Sequence, residues 1–311
     1  MFEAASKAFF HTLAGSAVLK SMASRYGMRS STSFARRFIA GETIEEAIEN
    51  ARVNDAAGLA YTLDFLGESV SSLDEADAAT REYLRMIDTI IASGVGRNIS
   101  LKLTQLGLDL DRAITTDNLR RILERAEPAG FFVRIDMENS PYTDVTLDIL
   151  EAVWGQGHRQ VGTVLQSMLY RSEKDLARLN ALGVRVRLVK GAYNEPKTVA
   201  FQTKAEVDAA FVRMMQTMLT GGTYPAIATH DEAMIAATKA FAAERSIGRD
   251  AFEFQMLNGI RRDLQQALHA DGYRVRVYVP FGRQWFPYFM RRLGERPANV
   301  GFVLKGILGE R

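Results

Sequence analysis

Short apolar runs alternate along the chain with stretches in which apolar residues recur at helical spacing. Eight of the runs are rich in β-branched and aromatic residues and are bounded by turn-forming residues, which predicts β-strands. The predicted strands are 59–66, 99–104, 131–137, 161–166, 184–189, 226–229, 252–256 and 274–278. The predicted helices between the later strands lie around residues 116–127, 141–154, 172–182, 204–220, 231–245 and 259–270.

Two helix starts near the amino end carry the capping-box pattern, in which a Ser or Thr is followed three residues later by Glu. Thr43-Ile-Glu-Glu46 predicts a helix to about Ala57, and Ser72-Leu-Asp-Glu75 predicts a longer one. Gly94 is the expected end of the second helix, because glycine readily adopts the left-handed conformation found at helix ends. We therefore expect a helical segment over about residues 1–57, before the first strand.

The alternation of eight strands with helices predicts an α/β fold, a single (β/α)8 TIM-type barrel within residues 1–311. The competing fold is a doubly wound sheet, which usually carries a glycine-rich turn after its first strand. Gly67 stands alone there, and neither G-x-G-x-x-G nor a P-loop motif occurs. The barrel is therefore the predicted fold.

Composition and charge restrict the chemistry. The chain has 311 residues and no cysteine, which excludes disulfides and cysteine nucleophiles and fits a reducing cytoplasm. A formal charge of +2 gives no indication of nucleic-acid binding. No apolar run reaches the length of a membrane span. The amphipathic, acid-poor segment Met1–Tyr26 either packs as a helix on its own domain, makes a peripheral membrane contact, or is a transit peptide.

Polar side chains gather where the predicted strands end. Active sites of (β/α)8 barrels lie at that face. Charged groups are rarely buried unless they are paired or functional. The residues concerned are Glu68, Lys102, Asp136, Gln166, Arg187, Lys190, Thr229, His230, Gln255 and Tyr278. Only His230 among the four histidines ends a strand, so no metal site is predicted.

The segment after the last strand, Phe281–Arg296, is predicted to form an aromatic-rich helix that carries Arg291 and Arg292 side by side. Adjacent helical residues point about 100° apart, so two guanidiniums can hold one carboxylate between them. The aromatic residues in 285–289 make the surroundings apolar, which strengthens such contacts. This helix therefore predicts a carboxylate clamp.

Residue chemistry alone leaves two other functions open. An aldolase-type barrel would use a lysine as a Schiff base, and Lys102 or Lys190 could serve. Such a protein would be colourless, and borohydride would trap its lysine with substrate. A non-catalytic barrel would bind a small carboxylate without converting it.

Seven segments, in order and in register, resemble the proline dehydrogenase family over roughly residues 55–300. They are ISLKLTQLGL (99–108), RIDME (134–138), RLVKGAY (187–193), ATHD (228–231), FEFQML (252–257), RVYVP (276–280) and YFMRRLGERP (288–297). The chain length resembles that of the monofunctional bacterial members. The resemblance implies a distorted (β/α)8 barrel with FAD as cofactor and the last barrel helix over its mouth.

The activity that the resemblance implies is oxidation of L-proline to Δ1-pyrroline-5-carboxylate, the first step of proline catabolism to glutamate. A hydride would pass from proline C5 to flavin N5, and the electrons would then pass to a membrane quinone. The expected location is cytoplasmic, with the N-terminal segment as a peripheral contact on the inner face of the cytoplasmic membrane.

The resemblance also implies roles for individual residues. Asp136 and Arg187 would belong to the catalytic core, and Glu68 would pair with Arg291 to close the site. The implied substrate-binding residues are Lys102, Leu257, Tyr278, Arg291 and Arg292. The implied flavin-binding residues are Met137, Gln166, Arg187, Val189, Lys190, Gly191, Ala192, Thr229 and His230.

Overall fold

The computed structural model describes residues 34–295, without the side chains at 34, 291 and 293–295. The predicted N-terminal amphipathic helix lies outside this range. A 3-10 turn, Phe34–Arg37, is followed by helices and strands that alternate to the end of the described chain. No helix within residues 34–295 combines the length and the apolar character needed to cross a membrane.

Eight parallel strands pair in chain order and close into a barrel, which confirms the predicted α/β barrel fold. The strands are β1 (Ala60–Phe65), β2 (Asn98–Leu101), β3 (Phe132–Ile135), β4 (Val161–Gln166), β5 (Arg185–Val189), β6 (Ala226–Ala228), β7 (Glu253–Leu257) and β8 (Arg274–Phe281). Closure comes from β1 and β8, which pair from Ala60 with Arg276 to Phe65 with Phe281.

The helices lie between the strands and cover the outside of the barrel. They are α1 (Ile44–Ala56), α2 (Leu73–Ser93), α3 (Arg112–Ala126), α4 (Thr143–Gly155), α5 (Ser172–Leu182), α6 (Lys204–Gly221), α7 (Glu232–Glu244), α8 (Arg262–Ala270) and α9 (Trp285–Glu295). The first capping box forms as predicted, with Thr43 and Glu46 bonded to each other's backbone. Gly94 ends α2 in the left-handed conformation, also as predicted.

Side chains alternate along each strand between the outer helical layer and the barrel interior. Val275, Val277 and Val279 of β8 are buried in the main apolar cluster with the helices. Arg276 and Tyr278, at the intervening positions, instead bond to Glu253 on β7 and to Asp136 just after β3. The interior therefore holds a polar network in place of the branched apolar layers common in such barrels.

The last strand is longer than predicted. It was predicted over residues 274–278, but β8 continues to Phe281. The pairing of β7 with β8 ends at Tyr278, so Pro280 lies where β8 pairs with β1 alone and its missing N–H is tolerated. The N–H of Gly282 then donates to Gly41 O at 2.9 Å, at the turn that leads into α9.

Helix α9 is held down by its aromatic face. Trp285 and Phe289 pack with Phe38 and Ile39, just after the 3-10 turn, and with Leu66 after β1. The Trp285 and Phe289 ring centroids lie 5.8 Å apart, nearly edge to face. This packing fixes α9 against the carboxyl-end face of the barrel.

Candidate active site

A cavity of about 400 Å³ lies at the carboxyl ends of the strands, with α9 contributing to its wall. Its lining includes every residue implied for catalysis, substrate or flavin contact whose side chain is described. The side chain of Arg291 is not described, so the structure neither supports nor contradicts its expected contacts. Glu68, its expected gate partner, is outside the cavity lining. The volume is within the usual range for small-molecule sites.

Asp136 joins three strands at the base of this cavity. Its N–H donates to Leu101 O at 2.8 Å, which fixes the chain just after β3. Its Oδ1 accepts a hydrogen bond from Arg187 Nη1 at 2.7 Å, and its Oδ2 accepts one from the Tyr278 hydroxyl at 2.9 Å. Both oxygens are therefore engaged, which makes Asp136 a fixed negative charge that orients its neighbours.

The Arg187 guanidinium is held from several sides. Nε donates to Gln255 Oε1 at 2.5 Å, and Nη2 donates to Ser100 Oγ at 3.2 Å. The guanidinium carbon also lies 5.4 Å from the centroid of the Tyr278 ring. A planar guanidinium held in this way is a preorganised cation whose direction is set by the barrel interior.

Lys102 is a buried ammonium between two carboxylates. Its Nζ lies 3.7 Å from Asp64 Oδ1 and 3.9 Å from Asp136 Oδ2. Burial alone would lower the pKa of Lys102, but the charges of Asp64 and Asp136 outweigh burial and raise it above the ordinary lysine value. Lys102 therefore lines the cavity as a cation.

Helix α9, the last helix described, adds another cation to the cavity wall. Tyr288 and Arg292, one turn apart, both line the cavity, and the Arg292 guanidinium lies 5.2 Å from the Tyr288 ring centroid. Trp285 points elsewhere, because it is buried in the aromatic cluster and its Nε1 donates to Glu42 Oε1 at 3.2 Å. The predicted clamp position of Arg292 is thus at the cavity, packed on an aromatic ring.

The wall formed after β4, β5 and β6 carries the residues expected to contact a flavin. Gln166 Nε2 donates to Glu138 O at 2.8 Å, and His230 Nε2 accepts from the Leu257 N–H at 2.9 Å. Gly191 has φ +111°, and a Cβ there would lie 2.4 Å from Met168 Sδ. Both its conformation and its crowding favour glycine.

The profile of the proline dehydrogenase family matches residues 47–305 of this chain. The chain belongs to this family. Proline dehydrogenase from Deinococcus radiodurans is 45% identical over 278 residues, covering 88% of this chain and 90% of the relative. Proline dehydrogenase 1 from Bacillus subtilis strain 168 is 44% identical over 299 residues, covering 96% and 98%. The family and the enzyme class implied by the sequence resemblance are thereby confirmed.

A solved structure gives the same fold. The chain superposes on proline utilization A from Bdellovibrio bacteriovorus, inactivated by N-propargylglycine, with a TM-score of 0.78 and 27% identity. The superposition covers 84% of this chain and 32% of that longer one. The barrel of this proline dehydrogenase family member therefore corresponds to about a third of the Bdellovibrio protein.

The structure disfavours the lysine-based aldolase alternative for this family member. A Schiff-base lysine must lose its proton to act as a nucleophile. Lys102 is kept charged by its carboxylates, and Lys190 Nζ is 2.6 Å from Asp231 Oδ2 and paired also with Asp208.

Within residues 34–295, no group of three or more His, Asp or Glu side chains is arranged to hold a metal ion.

Two buried carboxyl groups near the cavity carried no predicted role. Asp64 lies within β1 and is fully buried; burial raises its pKa, while the nearby Lys102 opposes the rise. Glu138 follows Asp136 by two residues and accepts from the Thr104 hydroxyl at 2.8 Å. Burial raises the pKa of Glu138 to about 7, despite the opposing hydrogen bonds from Thr104. An acidic residue inside an otherwise apolar strand is the sequence signal that identifies Asp64.

Proposed function

We propose that this protein oxidises L-proline to Δ1-pyrroline-5-carboxylate, with FAD as its cofactor and a quinone as electron acceptor. Membership of the proline dehydrogenase family supports the reaction. The observation that carries the substrate assignment is the set of cations Lys102, Arg187 and Arg292 that line one cavity beside the ring of Tyr278. This combination suits a small ring that bears a carboxylate.

Lys102 and Arg292 are the residues that would bind the proline carboxylate, with Arg291 as a second clamp arginine. Lys102 is already held as an ammonium by Asp64 and Asp136, and Arg292 is supported by the Tyr288 ring. Binding would therefore need little reorganisation of either cation. A charge-assisted hydrogen bond of this kind contributes about 1.5–3 kcal/mol.

The same cations favour the reactive form of the substrate. The nitrogen lone pair must assist loss of a hydride from the adjacent carbon, so the bound amine must be neutral. Lys102, Arg187 and Arg292 repel a further positive charge, which lowers the pKa of a bound amine. Asp136 opposes this effect, because a carboxylate favours a nearby ammonium, but its charge is shared between Arg187 and Lys102.

The residues present fit FAD. The flavin-contact residues implied by the family resemblance line one wall, where Gly191 allows close approach of the backbone. Gln166, Thr229 and His230 add polar atoms, and Arg187 adds a fixed donor. Lys190 is already bound to Asp208 and Asp231, so it would contact the cofactor through its backbone or methylene stem. When bound, FAD supplies the acceptor for the hydride of proline.

We further propose that the protein is cytoplasmic and that its N-terminal segment makes a peripheral contact with the inner face of the membrane that holds the quinone. The amphipathic, acid-poor sequence of Met1–Tyr26 supports this contact. The full chain should pellet with anionic liposomes, and deletion of residues 1–22 should reduce pelleting. Equal pelleting of the two proteins would exclude the contact.

The reaction is tested by steady-state assay of the holoenzyme with L-proline and a soluble quinone. The expected result is proline-dependent quinone reduction with one Δ1-pyrroline-5-carboxylate formed per quinone reduced. Cyclopentanecarboxylate provides the control, because it keeps the ring and the carboxylate but has no nitrogen. Product without quinone reduction, or equal quinone reduction with the control compound, would contradict the proposal.

A further inference from the structure

A chain of hydrogen bonds runs from the cavity floor to the opposite end of the barrel. Arg187 Nε donates to Gln255 Oε1, and Gln255 Nε2 donates to Glu253 Oε1. Arg276 then binds both oxygens of Glu253, with Nε at 2.7 Å and Nη2 at 3.0 Å. Arg187 and Gln255 line the site cavity, whereas Glu253 and Arg276 line a second cavity at the amino ends of the strands.

Glu253 determines which way the Gln255 amide faces. An amide has one accepting oxygen and one donating nitrogen, and Arg187 has only donors to offer. A carboxylate at Glu253 can only accept, so it binds the amide nitrogen and leaves the amide oxygen for Arg187 Nε. The reverse amide orientation would place two donors together at Arg187 and two acceptors together at Glu253.

Arg276 keeps Glu253 in the accepting form. Glu253 is 3% exposed, and burial alone would raise its pKa, but the charge and hydrogen bonds of Arg276 outweigh burial and lower it. Arg276 is itself fixed, since Nη1 donates to Tyr61 O at 2.8 Å. The Tyr224 hydroxyl, 3.3 Å from Glu253 Oε2, adds a further donor.

We propose that Glu253 and Arg276 are positioning residues for Arg187, acting through Gln255. The inference rests on the proposed function, in which Arg187 belongs to the catalytic core. The ion pair of Glu253 with Arg276 fixes the amide of Gln255, and that amide together with Asp136 and Ser100 fixes the Arg187 guanidinium. Burying an ion pair costs desolvation free energy. The role of this pair is to orient Arg187.

The test is a double-mutant cycle on the FAD-loaded enzyme. Glu253→Gln should lower kcat for proline about tenfold with KM changed less than twofold, because the carboxylate-binding residues Lys102 and Arg292 are untouched. In an Arg187→Lys background, Glu253→Gln should add less than a twofold loss. Effects that multiply fully in the double variant would overturn the proposal.

A charge-swapped variant provides a rescue that a purely structural role does not predict. Glu253→Gln combined with Gln255→Glu keeps the same side-chain atoms and total charge, and places a carboxylate directly against Arg187. It should recover at least half of the lost kcat. A swap as impaired as Glu253→Gln, while its melting temperature matches that of wild type, would also overturn the proposal.

Two further measurements separate positioning from folding. The midpoint potential of the bound flavin should shift in the same direction in Glu253→Gln as in Arg187→Lys, and an unshifted potential would contradict the proposal. Arg274→Gln, at an exposed position that lines the same second cavity, is the matched control and should change kcat less than twofold. If wild type does not oxidise proline at all, the proposed function fails; if it does and the cycle is additive, only the positioning proposal fails.

Discussion

The Tyr278 hydroxyl donates to Asp136 Oδ2 at 2.9 Å, on the oxygen that Arg187 does not use. Burial, and then the charges of Asp136 and Asp64, raises the pKa of Tyr278 well above its ordinary value, so the phenol stays protonated and remains a donor. One carboxylate thus fixes both a cation and an aromatic ring at the cavity floor.

Asp136→Asn should lower kcat by about tenfold to a hundredfold. The amide keeps the shape of the carboxylate but removes its charge, and its NH2 group cannot accept from either Arg187 or Tyr278. Tyr278→Phe is the milder comparison, because it removes one donor and leaves the pair of Asp136 with Arg187 intact. Steady-state kinetics with L-proline check this, and a kcat for Asp136→Asn within twofold of wild type would contradict it.

Arg292→Ala should raise KM for proline tenfold or more, because a charged contact with the carboxylate contributes about 1.5–3 kcal/mol. Arg291→Ala should also raise KM for proline, because Arg291 is the second arginine of the proposed clamp. The matched control is Arg283→Ala, which removes the same charge from an exposed position just before α9. Unchanged KM values in both clamp variants would exclude the clamp.

Asp64→Asn should destabilise the protein by about 1–3 kcal/mol, less than the roughly 3–5 kcal/mol typical of a broken buried ion pair. Removing one member of a buried ion pair leaves its partner uncompensated, although Lys102 keeps Asp136 at 3.9 Å. Urea unfolding in excess FAD measures the change. Replacing both residues, as Asp64→Asn with Lys102→Met, should recover part of the loss, and a double variant less stable than the single one would argue against the pair.

Glu138 should make stability depend on pH. Its pKa is about 7 in the folded protein against an ordinary value of 4.5, so the folded state holds this proton more tightly than the unfolded state. The proton on Glu138 therefore stabilises the folded state fully below pH 4.5, and this stabilisation is lost as the pH rises through about 7. The loss in free energy of unfolding is about 3 kcal/mol.

The measurement compares unfolding free energies of wild type and Glu138→Gln in urea at pH 5, 6, 7 and 8. The Gln variant lacks the titrating group, so it should gain stability relative to wild type as the pH rises and reach a plateau above pH 7. A difference that is constant over this range would show that Glu138 does not carry the shifted proton.

The sequence predicts the barrel well because its strands are short, apolar on one face and regularly spaced. It misplaces the end of β8, because tolerance of Pro280 depends on where pairing with β7 stops. The bond from Arg187 to Asp136 joins residues 51 positions apart, and no local pattern reports such a contact. Both residues were nevertheless expected at the site, because Asp136 directly follows β3 and Arg187 lies two residues before the end of β5.

The remaining unpredicted features arise from burial. Asp64 was treated as part of an apolar strand, and its relation to Lys102 follows only from the register of β1 and β2. Glu138 appears in the sequence as one acidic residue among several, and its shifted pKa depends on a desolvated position beside Thr104. Closure of the barrel creates both environments.

The most direct test of the proposed function is the absorbance spectrum of the purified protein before and after L-proline is added without oxygen. We expect a yellow protein with a flavin spectrum that bleaches on addition of proline, which would establish cofactor, substrate and reaction together. A flavin spectrum that proline leaves unchanged would contradict the substrate. A colourless protein that stays inactive after FAD is supplied would contradict the account as a whole.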